Sequence, residues 1–373
     1  MKSKYKTLIF IKNMRDPSAY YRLGQYLDTL EKNKTIKYIC YASDNAYNKY
    51  YNTNLGKNYF YKVIFAICGT IKVSLYIIWD ILINHSKTVV INRKMFPRVM
   101  PFYGKSLLNK YLKNKTIYWD FDDNIIYDKE ITQVEKQLLT KYSNMIIVTS
   151  EYLKNTIDKE YMHKVKLLVT TDATFQYLNL DNINTKRLLS YKDKVYIVWV
   201  GTKNNLAFLY NILPYLDRAA GEVNRINNKT LHLRIVSNES IVYNANYLMI
   251  ENIKWTRNKA KEELLLSHIG VMPLEDTEYT RGKGGFKGIQ YISAALPCVM
   301  SNVGFNTEVI EEGVSGFFAI EPHDWVSKIT ELSIDDNTWS NMSIAARNRW
   351  EEKFSSEINE KFWSGLLSNR KEN

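Results

Sequence analysis

Short apolar runs alternate along this chain with longer stretches whose apolar residues recur every three or four positions. TLIFI at 7–11 reads as a first strand, and the stripe Tyr21, Leu23, Tyr26, Leu27, Leu30 reads as a helix behind it. Strands are predicted at 36–41, 88–92, 116–119, 145–149 and 165–169, and helices at 107–112, 130–142 and 152–160. The Asn-rich stretch 43–58 reads as a loop. Residues 173–194 are polar and interrupt the alternation, so they are expected to link two domains. The pattern then restarts with VYIVWV at 195–200. Helices are expected at 206–220 (with Pro214 a kink), 259–266 and 325–332, and strands at 231–236, 247–251, 269–272, 298–301 and 316–320. From 340 onward the chain reads as helical, and Trp350, Phe354, Phe362 and Trp363 are too apolar to stay in water.

Strand–helix alternation of this kind implies an α/β protein with parallel sheets covered on both faces. The expected architecture is two Rossmann-like, doubly wound domains facing across a cleft, with a C-terminal helix packing back on the body. The expected boundaries are 1–172, a linker at 173–194, a second domain at 195–345 and a helical tail at 346–373. Ligands of such sheets bind outside the carboxyl ends of the strands.

The segment 63–83 changes this picture only if it meets lipid. It is long enough to span a bilayer, but Lys72 and Asp80 are costly there. A mostly buried amphipathic helix is expected, with a membrane-facing helix as the alternative. The chain has 373 residues and a net charge of +12, spread without long basic runs, which suits phosphorylated small molecules or an anionic surface better than nucleic acid. Three cysteines, all in apolar contexts, suit packed thiols in a reducing compartment, and the five histidines have no metal-ligand spacing.

Candidate chemistry gathers at predicted strand ends. In 281–301, RGKGGFKGIQYISAALPCVMS, a glycine loop opens a helix, and the helix feeds a strand. Gly284 and Gly285 let backbone approach a ligand closely, and a helix start carries free N–H groups and partial positive charge that suit a phosphate. Arg281, Lys283 and Lys287 add charge. Gly201-Thr202-Lys203 is a second turn of this kind. Asp120, Asp122 and Asp123 end another strand, as a base facing a hydroxyl, as metal ligands, or as caps and solvated charges. Arg22, Arg93 and Lys94 would line the same half with positive charge.

The segment 268–319, HIGVMPLEDTEYTRGKGGFKGIQYISAALPCVMSNVGFNTEVIEEGVSGFFA, resembles the donor-binding half of bacterial family-four glycosyltransferases of GT-B fold. SAYYRLGQYLDTL, VVINRKMFP and YWDFDDN resemble a branch of that family that builds surface polysaccharides. The resemblance implies a metal-independent, cofactor-free, retaining transferase using a nucleotide-sugar. Its acceptor is expected to be a lipid-carried glycan at the cytoplasmic face of a membrane. By position Gly284, Gly285 and Phe286 would face the diphosphate. Lys203 with Arg281 or Lys287 would neutralise it, and Gln290 would reach the ribose. The family's first glutamate is replaced by Gly282, so a sugar-binding carboxylate must come from elsewhere, Glu278 being one candidate. Asp120, Asp122 or Asp123 would lie nearest the acceptor hydroxyl. The alternatives are a non-catalytic sugar-nucleotide or glycan-binding protein of the same fold, or a sugar-nucleotide epimerase.

Overall fold

A computed structural model describes residues 3–30, 35–97, 99–127 and 129–367. The chain forms two compact units: residues 1–170 with 357–373, and residues 171–356.

The first unit holds a six-stranded parallel sheet in the order β2-β1-β3-β4-β5-β6, with β1 Thr7–Ile11, β2 Ile36–Cys40, β3 Thr88–Asn92, β4 Thr116–Phe121, β5 Met145–Val148 and β6 Val165–Leu167. All of β1 is buried, as its unbroken apolar run requires of a strand covered on both faces. One face packs a core that includes Phe10, Ile91 and Trp119, and the other packs Ile9, Ile11 and Val90. The C-terminal helix Ser356–Leu367 belongs to this second core: Trp363 is fully buried against it, as its apolar character predicts.

The second unit repeats the plan in the order β12-β11-β10-β7-β8-β9, with β7 Lys194–Val200, β8 Thr230–Ser237, β9 Met249–Lys254, β10 Ile269–Met272, β11 Cys298–Ser301 and β12 Gly316–Ala319. In each sheet the strand order reverses at one place, between β1 and β3 in the first and between β7 and β10 in the second. Those switch points, at the strands' carboxyl ends, are where such folds bind ligands.

Four local expectations are corrected. The stretch read as a loop at 43–58 holds a helix, Asp44–Asn52, because Ser43 caps it by accepting from the Ala46 N–H and Tyr47 turns inward. The polar stretch 173–194 holds the helix Leu180–Tyr191, which lies in the second unit. Its buried Arg187 donates to the carbonyls of Leu264, Leu265, Ala294 and Ala295, and so caps the ends of two other helices. Pro214 lies inside a helix that runs as one element over Leu206–Asn227, as the expected helix there allows. The long apolar helix, Tyr59–Trp79, buries only Gly69, Val73, Ser74 and Ile77. Cys68 on that helix is exposed rather than packed, while Cys298 is buried.

Candidate functional site

At the switch point of the first sheet, the loops after β1, β3 and β4 bring charged side chains together. Arg22 and Asp120, both fully buried, form an ion pair in which Nε donates to both carboxylate oxygens (3.0 and 3.2 Å) and Nη2 adds a further contact to Oδ1. Asn92 Nδ2 donates to Asp120 Oδ2 at 3.0 Å, and Arg22 Nη1 donates to the Leu168 carbonyl and to Thr170. Burial alone would weaken the guanidinium's charge. The adjoining carboxylate outweighs this and holds the Arg22 pKa above its usual value. Asp120, a candidate base from the sequence, is thus fully buried and held as the counter-ion of Arg22.

Asp122 sits differently. Ser18 Oγ–H donates to its Oδ1 at 2.6 Å, and Arg93 Nη1 donates to the same oxygen at 3.0 Å. Its side chain keeps 17 % exposure. Burial, with Asp123 adding repulsion against the opposing pull of Arg93, pushes the carboxyl up to about 6. Asp123 is more open and also accepts from Arg93 at 3.0 Å.

Arg93 is the hub. Besides these two aspartates its Nη2 donates to Glu130 at 2.8 Å, and its backbone lies at φ 63°, a left-handed conformation that is uncommon away from glycine. The Arg93 N–H donating to the Asp120 carbonyl at 2.7 Å and the Trp119 indole donating to the Arg93 carbonyl at 2.9 Å hold that conformation. Lys94 pairs with Glu130 at 3.0 Å; burial, only partly offset by Glu130, lowers its pKa to about 8. Burial alone would raise the Glu130 carboxyl, but Arg93 and Lys94 outweigh it and hold it well below the usual range. The expected positive lining is therefore a neutralised lattice. Glu130 escaped the sequence reading because it was placed inside a helix; the helix starts at Gln133, capped by Thr132, and this frees Glu130 to meet Arg93.

The second sheet's switch point is built from backbone. The turn Gly201–Asn205 follows β7, and residues 273–285 follow the adjacent β10 and lead into the helix Phe286–Ser293. Tyr291 on that helix ties both strand ends, its hydroxyl lying 3.2 Å from the Val200 N–H and 3.1 Å from the Val271 carbonyl. Gly285 precedes the helix at φ 64°, and a Cβ there would stand 2.7 Å from Val309 Cγ2. Only glycine fits that turn without strain. A Cβ on Gly304, at φ 56°, would meet the Arg281 backbone at 2.9 Å, so the loop after β11 also presses on the glycine turn.

The predicted donor residues divide by environment. Thr202 and Lys203 are exposed at the β7 turn. Arg281 is exposed and paired with Asp276 at 2.6 Å, while Lys283 lies 4.3 Å over the Tyr279 ring. Gly284 is buried, and Phe286 and Lys287 are half-buried at the helix start. Gln290 is buried, and its amide donates to Asp172 at 2.7 Å. Asp172, itself buried, also caps the short turn Ala173–Phe175. Its carboxylate was missed because TTDAT carries no motif, and only the fold brings it to Gln290. Glu278 opens the short helix Glu278–Arg281 and is exposed. Among the described residues no group of three or more His, Cys, Asp or Glu is placed to hold a metal ion.

Residues 194–335 match the family described as Glycosyl transferases group 1. No curated protein matches the chain. Among solved structures, HepE of Anabaena in complex with UDP-glucose superposes with a TM-score of 0.62 at 10% identity, over 97% of this chain and 99% of that one. A glycosyltransferase from Rickettsia africae gives 0.58 at 13% identity, over 98% and 99%. MnaA of S. aureus in complex with UDP gives 0.54 at 15%, over 97% of each. At these identities the likeness establishes the fold, which is GT-B.

Proposed function

We propose that this protein is a glycosyltransferase that moves a sugar from a nucleotide-sugar to a glycan acceptor, with retention of anomeric configuration. The observation that carries the reading is the glycine turn at the β7–β10 switch point. It opens a helix inside the region that matches the glycosyltransferase group. The GT-B fold shared with HepE, whose structure holds UDP-glucose, supports it.

When the bond from sugar to diphosphate breaks, negative charge grows on the diphosphate. The start of the helix Phe286–Ser293 carries the positive end of its dipole and is suited to receive that charge. Lys287 at the helix start supplies a cation, and Lys203 and Arg281 supply others from neighbouring loops. Asp172 accepts from the Gln290 amide and so fixes that side chain beside them.

The acceptor is assigned to the first unit, with Asp122 as the group nearest its hydroxyl. A carboxyl titrating near 6 is ionised at neutral pH yet still basic enough to share the hydroxyl proton. Arg93 and Ser18 hold it in place. The acceptor class is a lipid-carried glycan of a surface polysaccharide, handled at the cytoplasmic face of a membrane.

The test is a melting-point screen with nucleoside diphosphates and their sugars, followed by nucleotide release with and without a lipid-linked glycan. One nucleotide-sugar is expected to raise the melting point, and release is expected to depend on acceptor. No shift with any nucleotide-sugar, or release without a glycosylated product, would overturn the reading.

A further inference from the structure

The helix Tyr59–Trp79 connects β2 to β3, and with its continuation to Asn84 it is long and apolar enough to cross a membrane. A crossing is excluded by the sheet: β2 and β3 both pair with β1, so both ends of the connection lie on one side of any bilayer. The helix instead packs along the sheet by a narrow face. Gly69 approaches so closely that a Cβ would stand 2.8 Å from Pro97, and Ser74 Oγ lies 3.2 Å from the Tyr103 hydroxyl. Asp80, the only carboxylate between 59 and 84, is fully buried. It accepts from Lys115 (2.8 Å), Tyr111 (2.9 Å) and Ser86 (2.6 Å) and so locks the helix end inward.

The outer face then carries a continuous apolar stripe. Ile64, Ile67, Ile71, Leu75, Ile78 and Leu82 recur at spacings of three and four and are all exposed, with Phe60 continuing the stripe toward the amino end. Phe102, 99 % exposed, stands one residue from Tyr103 and extends the patch sideways. A stripe this long and free of acid is uncommon on a surface that meets only water.

Beside the carboxyl half of the stripe lies a cavity of about 660 Å³ that includes Lys4, Lys37 and Lys72 in its wall, with Tyr5, Tyr76 and Trp79. Lys37 Nζ is held over all three rings, at 5.0, 5.3 and 4.8 Å from Tyr5, Tyr76 and Trp79. Among the described residues no carboxylate lines the cavity. Three ammonium groups next to an apolar strip match the chemistry of one object, an anionic phospholipid surface, which offers phosphates at the depth where its acyl chains begin.

We infer that the helix Tyr59–Trp79 lies in the plane of an anionic bilayer, its isoleucine–leucine stripe among the acyl chains, and that the Lys4–Lys37–Lys72 cavity seats a phospholipid phosphate. This surface belongs to the first unit alone and does not depend on the proposed transfer reaction. Flotation of the full chain with vesicles of phosphatidylcholine, with and without phosphatidylglycerol, tests it. The protein is expected to float with the anionic vesicles at low salt and to be released by high salt. The double variant I71E/L75E, which touches only exposed positions, is expected to lose flotation with an unchanged melting point. Lys37→Gln and Lys72→Gln are each expected to weaken partitioning about fivefold. Equal flotation of wild type and I71E/L75E overturns the inference. So does failure of the wild type to float with anionic vesicles, or a self-association that I71E/L75E abolishes while wild-type flotation is absent. Nucleotide-sugar binding measured on I71E/L75E should match wild type, which separates failure of this surface from failure of the donor site.

Discussion

The two sheets present the same topological place with opposite chemistry. At the β1–β3 switch point of the first, side chains occupy the ground: Arg22 with Asp120, and Arg93 with Asp122, Asp123 and Glu130. At the β7–β10 switch point of the second, the ground is backbone: Gly285, in a left-handed turn, leads directly into the helix Phe286–Ser293. A charge lattice fixes one carboxylate, Asp122, in a chosen protonation range. A glycine turn admits a bulky anion. The first arrangement suits a reacting hydroxyl and the second a departing diphosphate.

The largest effect should come from breaking the lattice at its buried pair. Arg22→Met leaves Asp120 uncompensated in the interior and should cost about 3–5 kcal/mol by denaturant unfolding. The double variant R22M/D120L should recover most of that loss. If Arg22→Met alone is nearly neutral, the pair does not organise this region.

Next comes Asp122, where the pH dependence has a definite sign. The native carboxyl titrates at about 6, against 3.8 for an ordinary aspartate, so in that window the native state binds more protons than the unfolded chain. Its contribution to stability is present in full below the lower value and is lost as pH rises through 6, roughly 3 kcal/mol at most. Asp122→Asn should remove that slope from stability measured between pH 4 and 7. In turnover the same variant should lose about 10²-fold or more, together with the acid limb near pH 6. An Asn variant that keeps both limb and rate removes Asp122 from the chemistry.

Gly285→Val tests the second sheet. Its Cβ has neither the φ nor the space it needs, so about 1–3 kcal/mol of strain is expected, with loss of nucleotide-sugar binding by calorimetry. The smallest effect is expected from Asp276→Ala, which breaks an exposed pair with Arg281 and should leave the unfolding midpoint unchanged.

The fold was legible because parallel strands covered on both faces must be continuous apolar runs, and VYIVWV and TLIFI are. The glycine turn was legible because its chemistry is local. The lattice was not, for a physical reason. Arg22 and Asp120 lie 98 residues apart, and only the pairing of β1, β3 and β4 brings them together, which turns apparent cationic lining into neutral pairs. Asp172 and Gln290, 118 apart, were hidden in the same way. The helix Leu180–Tyr191 was hidden by composition, since its polar sequence conceals an arginine that is buried only because carbonyls from two other helices surround it.

The central claim is that the glycine turn of the second unit holds the diphosphate of a nucleotide-sugar. Calorimetric titration of the full chain and of Gly285→Val with nucleoside diphosphates and their sugars tests it most directly. The account predicts saturable binding of one nucleotide series to the wild type and none to the folded variant. Undiminished binding to the variant, or no binding by the wild type, would contradict it.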